Sequence, residues 1–536
     1  MFFREKKSGS KTYLQIVENR REDGKVKQRV IATLGCADEL LRSGNFDSLL
    51  LSGAKYSQAL MVISAHKKGK LPVLSTRRIG SSLIFERLWE ECGCKKAIKS
   101  LLLERKFEFD VERALFLTVL HRIFESGSDR SADKWRFDYQ IDKTDGLQLH
   151  QLYRAMAWLG EEVPVSIKDR FEEWLFSFRR DLFASLDLVF FDTTSIYFEG
   201  EGGKSLGEYG NSKDHRSDRR QLIVGAVLDD KGQPVCCEIL PGNTADVSML
   251  IPVVKRLKQR FGIKSICIVA DRGMVSKGNI AMIEELGWHY ILGARMRKDK
   301  VIGEKVLNDS GEYTVVHPKT KDGPSPLEVK EVKLEEGRFI ICFNEDQAKK
   351  DVETRKAIIE SLRIKLDKGE KTLVSNKGYR RYLKVEQKSF SLDEEKIEKE
   401  AMYDGKYVLR TNTNLDAAEL ALKYKQLWMV EDLFKRAKSF LETRPVYHRC
   451  DETIKGHVFC SFLSLVMMKT LENRLEKRGY KFEWHNIIRD LDSLEEIEIE
   501  HDGKRFFLRN EMKGNCGKIF QSVGVAMPKN LKEAEV

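Results

Sequence analysis

The 536-residue sequence predicts an α/β protein in which helices flank a mixed β-sheet. Three patterns predict this class. Residues 78–184 carry apolar side chains at three- and four-residue steps, the period of a helix. From Leu186 onward, short apolar runs typical of buried strands alternate with helical stretches. Residues 296–405 are Lys-rich with short alternating pieces, which predicts a β-rich insertion, and the helical period returns at Asp416.

Basic charge is concentrated at the N-terminus. The chain has 94 Lys and Arg against 83 Asp and Glu, but residues 1–80 hold 16 of the basic and only 7 of the acidic residues. Lys and Arg that neutralise phosphates release counterions, so this segment favours a polyanionic partner. A solvated, solubilising surface explains the charge equally well.

The composition, 41% hydrophobic and 33% charged, excludes a disordered chain and a membrane protein. The longest apolar run, His457–Met468, is well short of the ~20 residues that span a bilayer, and the N-terminus lacks the apolar segment of a signal peptide. We therefore expect a cytoplasmic protein.

The elements follow in chain order. Residues 12–34 alternate around Glu22-Asp23-Gly24 and predict a basic β-hairpin. The next predictions, from Leu186 to Leu292, are a strand (Leu186–Phe191), a second strand (Ser195–Phe198), a hairpin (Leu222–Leu228 and Val235–Leu240), a helix (Asp246–Phe261), a strand (Ser265–Ala270), a helix (Lys277–Leu286) and a strand (Trp288–Leu292). The domains predicted are a basic hairpin region (1–77), a helical module (78–184), the first part of an α/β core (185–295), the β-rich insertion (296–405), the second part of the core (406–480) and a C-terminal hairpin with a tail (481–536).

Acidic residues end two of the predicted buried strands. Asp192 and Asp271 stand where ligands bind in open α/β sheets. Two neighbouring carboxylates repel each other, and a hard divalent cation such as Mg²⁺ relieves the repulsion. Taken alone, an Asp at a strand end is more often a turn or cap residue.

A third acid belongs to a polar stripe. Tyr424, Glu431 and Lys438 recur every seven residues and should share one face of a helix. By itself such a stripe is usually a solvated face.

In this order and combination, the residues resemble the DDE transposases of bacterial insertion sequences, in the branch of the insertion-sequence-four type that carries a Y-x2-R-x3-E-x6-K signature. Tyr424, Glu431 and Lys438 match that spacing, while Leu427 stands where the signature has Arg. The segments similar to this group are LVFFDTTS, CIVADRGMVSKGNI, SKDHRSDRRQ, PGNTAD, RPVYHR and IKGHVF.

The resemblance implies a ribonuclease-H-like core in which Asp192, Asp271 and Glu431 hold two Mg²⁺ ions, for which Mn²⁺ can substitute, around a scissile phosphate. One ion would make water nucleophilic and the other would stabilise the leaving 3′ oxygen; the freed 3′-OH would then attack target DNA. The predicted DNA contacts are Tyr424, Lys438, Arg272 and Arg444, with Lys425 or Lys435 replacing the missing arginine unless end binding is weakened.

The implied partners are double-stranded DNA, both element ends and target, and a second copy of the chain in a homodimer that pairs two ends near the nucleoid. The basic hairpin and the helical module would bind the ends, with Arg77, Arg78, Lys95, Lys96 and Lys99 as phosphate contacts. Residues 296–405 contain no Trp to hold a flipped base, which argues against a DNA hairpin intermediate. Two alternatives stay open: a catalytically silent DNA-binding protein, and a metal-dependent nuclease that does not join strands.

Overall fold

Two compact units make up the described part of the chain. The computed structural model describes residues 1–22, 25–54, 56–57, 73–103, 105–178, 188–263, 265–316, 327–367, 381–386, 389–501 and 504–534. The first unit comprises Met1–Gly80, Arg489–Gly517 and Ala526–Val536, and the second comprises Ser81–Ile488 and Lys518–Val525.

The strands of the described residues are, in chain order, β1 (Phe2–Ser8), β2 (Lys11–Glu22), β3 (Lys25–Cys36), β4 (Val73–Arg78), β5 (Leu188–Tyr197), β6 (Gln221–Leu228), β7 (Pro234–Pro241), β8 (Cys267–Ala270), β9 (His289–Gly293), β10 (Thr314–Val316), β11 (Leu327–Leu334), β12 (Gly337–Phe343), β13 (Leu383–Glu386), β14 (Ser389–Leu392), β15 (Lys406–Thr411), β16 (Glu495–His501), β17 (Lys504–Arg509) and β18 (Leu531–Glu533).

The helices are, in the same order, α1 (Ala37–Arg42), α2 (Asn45–Ala54), α3 (Gly80–Glu91), α4 (Cys94–Leu101), α5 (Val111–Phe124), α6 (Asp129–Trp135), α7 (Leu149–Leu159), α8 (Ile167–Phe178), α9 (Asp246–Phe261), α10 (Lys277–Glu285), α11 (Glu345–Asp367), α12 (Glu394–Ala401), α13 (Ala417–Lys425), α14 (Trp428–Lys435), α15 (Asp451–Glu476), α16 (Trp484–Asp492) and α17 (Cys516–Val523).

The first unit contains two antiparallel sheets. The predicted basic hairpin is confirmed as β2 and β3, with β1 added as a third strand; its turn at Asp23-Gly24 lies outside the described residues. The second sheet has the order β18-β17-β16-β4. The N-terminal strand β4 therefore pairs with β16 of the predicted C-terminal hairpin, so two regions predicted as separate domains share one sheet.

The second unit is built around a nine-stranded sheet of order β10-β11-β12-β15-β9-β8-β5-β6-β7. At its centre β5, β8 and β9 run parallel, whereas the remaining pairs are antiparallel. Strands β6 and β8 consist of apolar runs and are buried along their whole lengths, which is why they lie inside the sheet and not at its edges. The prediction of a mixed sheet with flanking helices is confirmed.

Helices cover both faces of the central strands. On one face, Met249 and Val253 of α9 and Ile283 of α10 pack against Phe191 of β5 and Ile268 of β8. On the other face, α14 and α15 pack against β5, β6 and β7. The central strands are therefore buried between two helical layers.

The sequence predicts a β-rich insertion at 296–405. In the structure β10, β11 and β12 of this stretch extend the edge of the main sheet, β13 and β14 form a separate two-stranded sheet, and the stretch also contains the 23-residue helix α11. The sheet that a strand joins depends on its partners, here β11 and β15 for β12, and the alternation of apolar and polar residues does not specify them.

Helix α15 forms the centre of the helical layer. It is the one helix of the described residues with the length and hydropathy to cross a membrane, but 78% of its most apolar window is buried inside the protein. It packs against α5 and α7, and Arg122 of α5 donates to the His457 carbonyl at 2.9 Å. This burial identifies α15 as a core helix.

Glycines allow α15 and α7 to approach closely. A Cβ on Gly456 would lie 1.8 Å from the Met156 carbonyl oxygen, and a Cβ on Gly160 would lie 1.9 Å from the Glu452 carbonyl oxygen. Neither carbonyl can move without disturbing its own helix.

Gly456→Ala should therefore lower the free energy of unfolding by about 1–3 kcal/mol, although alanine favours a helix more than glycine does. Chemical denaturation measures the change. The matched control is Gly278→Ala in α10, where the nearest atom lies at 3.9 Å and stability should be unchanged or slightly higher. A Gly456→Ala protein as stable as the parent would contradict the packing.

Candidate active site

The two aspartates predicted from the sequence lie side by side. Strands β5 and β8 pair in parallel and the register aligns Phe191 with Ala270, so Asp192 and Asp271 are the next residues on neighbouring strands. Asp192 is not at the end of its strand, however, and the predicted second strand from Ser195 is wrong. Because β6 pairs with β5 as far as Tyr197, β5 continues after its pairing with β8 has ended.

Asp192 is held in an unfavourable environment for a charge. Its side chain is 19% exposed, and this burial raises its pKa from 3.8 to about 6. Lys213 and the Thr193 backbone N–H oppose the shift, while the charges of Asp271 and Asp246 add to it. A buried carboxylate with two acidic neighbours is a site that favours a cation.

Tyr424 contacts the second aspartate. Its hydroxyl donates to Asp271 Oδ1 at 3.2 Å, and burial together with Asp271 raises the pKa of this phenol above its ordinary value. The close approach depends on Gly293, since a Cβ there would lie 2.4 Å from the Tyr424 hydroxyl oxygen. The structure therefore places Tyr424 against an acid of the site.

Glu431 faces the same space as Asp271. The two residues line one cavity of about 1050 Å³, together with Tyr424 and Lys425. Asp192 lies on the same face of β5 as Thr194 and Ile196. These two residues line a small apolar pocket together with Leu433 and Phe434 of α14. Asp192 therefore lies on the side of the sheet that α14, the helix carrying Glu431, covers. Across the residues described, however, no group of three or more His, Cys, Asp or Glu side chains is arranged to hold a metal ion.

The predicted stripe does not lie on one continuous helix. Helix α13 ends at Lys425, α14 begins at Trp428, and a π-helical turn spans Arg436–Phe440. At the first junction the Leu427 N–H donates to the Tyr424 carbonyl three residues earlier, at 3.0 Å, which tightens the turn. At the second, the Leu441 N–H donates to the Arg436 carbonyl five residues earlier, at 2.9 Å, which widens the helix. A seven-residue spacing therefore does not place the three side chains on one straight face.

Lys438 and Arg444 converge on an acid that sequence reasoning missed. Asp214 Oδ1 accepts from Lys438 Nζ at 2.7 Å, and the Arg444 guanidinium lies 2.6 Å away. Asp214 is only 4% exposed, and burial lowers the pKa of Lys438 although its bond to Asp214 opposes the shift. The sequence signal that could have pointed to Asp214 is its place in the segment SKDHRSDRRQ, which is similar to the family.

Asp246 and Lys213 were also missed. The Thr193 hydroxyl donates to Asp246 Oδ1 at 2.6 Å, and Lys213 Nζ lies 3.3 Å from Asp246 and 3.9 Å from Asp192. Asp246 ends the PGNTAD segment and begins α9. The sequence did not show that Asp246 lies beside β5, because it stands 54 positions after Asp192 in the chain.

Two family models match this chain. The model described as transposase DDE domain covers residues 184–467, slightly more than half of the sequence and all of the candidate site residues described in this subsection. The chain belongs to the DDE transposase family. The model described as IS1634 family transposase, N-terminal domain, matches residues 3–65, so the transposase is of the insertion-sequence kind.

Solved transposase structures show weaker similarity. A cryo-EM structure of the piggyBac transposase synaptic complex with hairpin DNA is 10% identical with a TM-score of 0.36, covering 77% of this chain and 79% of that one. The Mos1 transposase paired-end complex with left transposon end is 12% identical with a TM-score of 0.15, covering 35% and 60%. No curated protein matches the sequence.

The remaining predicted contact residues differ in their surroundings. Arg272 is exposed and, like the half-buried Lys425, lines the cavity shared by Asp271 and Glu431; Lys435 is exposed on α14. Leu427 is buried, 6% exposed, at the start of α14. The position where the signature has Arg is thus an apolar packing position in this transposase.

The acids of the site fit a divalent metal ion. DDE transposases use such ions, and Asp192 and Asp271 offer oxygen ligands from two neighbouring strands. Burial is the main cause of the raised pKa of Asp192, and the nearby charges of Asp271 and Asp246 add to it; a hard cation bound here would favour the ionised carboxylate.

Asp192→Asn should stabilise the metal-free transposase above about pH 6. The pKa of the Asp192 carboxyl is about 6 in the folded protein and 3.8 when the group is exposed, as in the unfolded chain. The contribution of this carboxyl to stability is therefore present below about pH 4 and is lost as the pH rises through about 6. An asparagine has no charge to bury, so the gain should reach about 3 kcal/mol at most near neutral pH.

Denaturation in EDTA at about pH 4 and about pH 7.5 tests this, since the gain should disappear at the lower pH. Asp218→Asn serves as the control, because Asp218 is exposed and the hydrogen bond from Arg216 lowers its pKa to about 2. An equal gain in both variants, or no gain at either pH for Asp192→Asn, would contradict the burial argument.

Proposed function

We propose that the transposase binds the ends of an insertion sequence, hydrolyses a phosphodiester bond at each end, and joins the freed 3′ ends to target DNA. The observation that carries this proposal is the adjacency of Asp192 and Asp271, with Glu431 lining the cavity onto which Asp271 opens. Carboxylates in this arrangement serve phosphoryl transfer when they bind divalent cations.

Asp192, Asp271 and Glu431 are the proposed ligands of two Mg²⁺ ions, or of Mn²⁺ in their place. When bound, the ions supply charge for activating water and for stabilising the leaving oxygen. In the first step, water attacks phosphorus and the bond to the 3′ oxygen breaks. In the second step, the resulting 3′-OH attacks a target phosphate and the target's own 3′ oxygen leaves.

The basic residues of the cavity are proposed to hold the DNA backbone. Arg272 and Lys425 line the cavity beside the acids, and Lys425 is the better replacement for the absent signature arginine because Lys435 does not share this lining. Lys438 and Arg444 are paired with Asp214, so any contact they make with a phosphate has to compete with that carboxylate.

The β2–β3 ribbon is proposed to bind the element ends. Its outer half carries Arg20, Arg21, Lys27 and Arg29, all exposed to solvent. A two-stranded ribbon fits the major groove of DNA, and phosphate contacts would give salt-dependent affinity. Since two ends are cut and joined together, we also propose a homodimer.

Glu431→Gln should reduce cleavage at least about 100-fold without weakening DNA binding, because it removes a ligand charge and preserves the shape of the side chain. The assay uses labelled DNA carrying the inverted repeats that flank the coding sequence, incubated with Mg²⁺ or Mn²⁺. Glu419→Gln in α13, an exposed glutamate whose partner is Lys423, is the matched control and should cleave normally.

The same assay separates the alternatives. Retained cleavage by Glu431→Gln removes this residue from the site. Nicking without joined products makes the parent protein a nuclease, whereas DNA binding without nicking makes it a silent DNA-binding relative of transposases.

A further inference from the structure

Lys213 reaches back over the strand that carries Asp192. It belongs to the long connection between β5 and β6, and its Nζ donates to the Thr193 carbonyl and the Thr193 hydroxyl, both at 2.7 Å. The same ammonium lies 3.3 Å from Asp246 Oδ2 and 3.9 Å from Asp192 Oδ1. Four oxygen atoms from three residues therefore surround one positive charge.

The backbone around Lys213 is fixed on several sides. The Lys213 N–H donates to Ser195 Oγ at 2.8 Å, and the Ser212 hydroxyl accepts from the N–H of Arg216 at 3.1 Å. The next residue, Asp214, is held by Lys438 and Arg444. The backbone contacts of the connection thus fix the position of Lys213 relative to β5.

The surroundings of Lys213 are those of a cation site. Three acidic residues lie close together here: Asp192, Asp246 and Asp271. Lys213 is the one positively charged group among the main influences on the pKa of Asp192. An ion approaching Asp192 Oδ1 has to share this oxygen with the ammonium. Like charges at such separations repel strongly in a partly buried site.

We propose that Lys213 is a displaceable counter-cation of the active site. It neutralises Asp192 and Asp246 before metal binds, competes with the first divalent ion for Asp192, and moves to a DNA phosphate when ion and DNA are bound together. Metal affinity is thereby kept low in the DNA-free protein. The last step rests on the proposed function, whereas the competition with metal does not.

A titration of the DNA-free, EDTA-treated full chain with Mn²⁺, followed by the EPR signal of the free ion, tests the competition. Lys213→Met should bind the first Mn²⁺ about tenfold more tightly than the parent, because the competing charge is gone. Lys213→Arg keeps the charge and should stay within about twofold of the parent. Lys204→Met removes an exposed lysine from the same connection and should change nothing.

Circular dichroism checks that each variant is folded, and Lys213→Gln replaces the Met variant if that one is not. Equal or weaker Mn²⁺ binding by the charge-removing variant overturns the proposal. So does the absence of measurable Mn²⁺ binding by both proteins, since removing Lys213 should expose the aspartates to the ion.

A duplex oligonucleotide of arbitrary sequence, added at low salt, tests the transfer to phosphate. The difference in Mn²⁺ affinity between the parent and Lys213→Met should shrink once DNA is bound, and an unchanged difference would overturn the release step. Neither titration needs cleavage. A chain that fails the cleavage assay but shows the tenfold change would therefore keep the role of Lys213 and lose the proposed function.

Discussion

The parallel pairing of β5 with β8 is the constraint on which the candidate active site depends. It places Asp192 and Asp271 at equivalent positions of adjacent strands, where their carboxylates have to share one region of space. Because both faces of these strands are covered by helices, the pairing also buries Asp192 and raises its pKa. The fold thus makes the charged form of Asp192 unfavourable beside a second carboxyl group.

Other parts of the transposase offset this effect. Lys213 supplies a positive charge to Asp192 and Asp246, and the Tyr424 hydroxyl supplies a hydrogen bond to Asp271. The first contact comes from the connection that follows β5, and the second comes from α13, more than 150 residues after Asp271 in the chain. A site whose acids are paired with protein groups can fold without metal, and it can exchange those partners for cations later.

Asp214 illustrates how the same connection serves two purposes. Its buried side chain accepts a hydrogen bond from Lys438 and forms an ion pair with Arg444, and these contacts hold the backbone next to Lys213. One short segment, SKDHR, therefore contacts Lys438 through Asp214 and the acids Asp192 and Asp246 through Lys213.

The sequence alone determined the α/β class, most strand and helix positions of the core and the family, because apolar period and motif spacing are local properties. Only the tertiary structure decided the rest. The insertion strands joined the main sheet, β4 paired with the C-terminal hairpin, and the Tyr424–Lys438 stretch divided into two helices and a π-helical turn, since strand partners and helix junctions depend on distant contacts. Lys213, Asp214 and Asp246 entered the site for the same reason: charges separated by tens of residues interact only after the chain has folded.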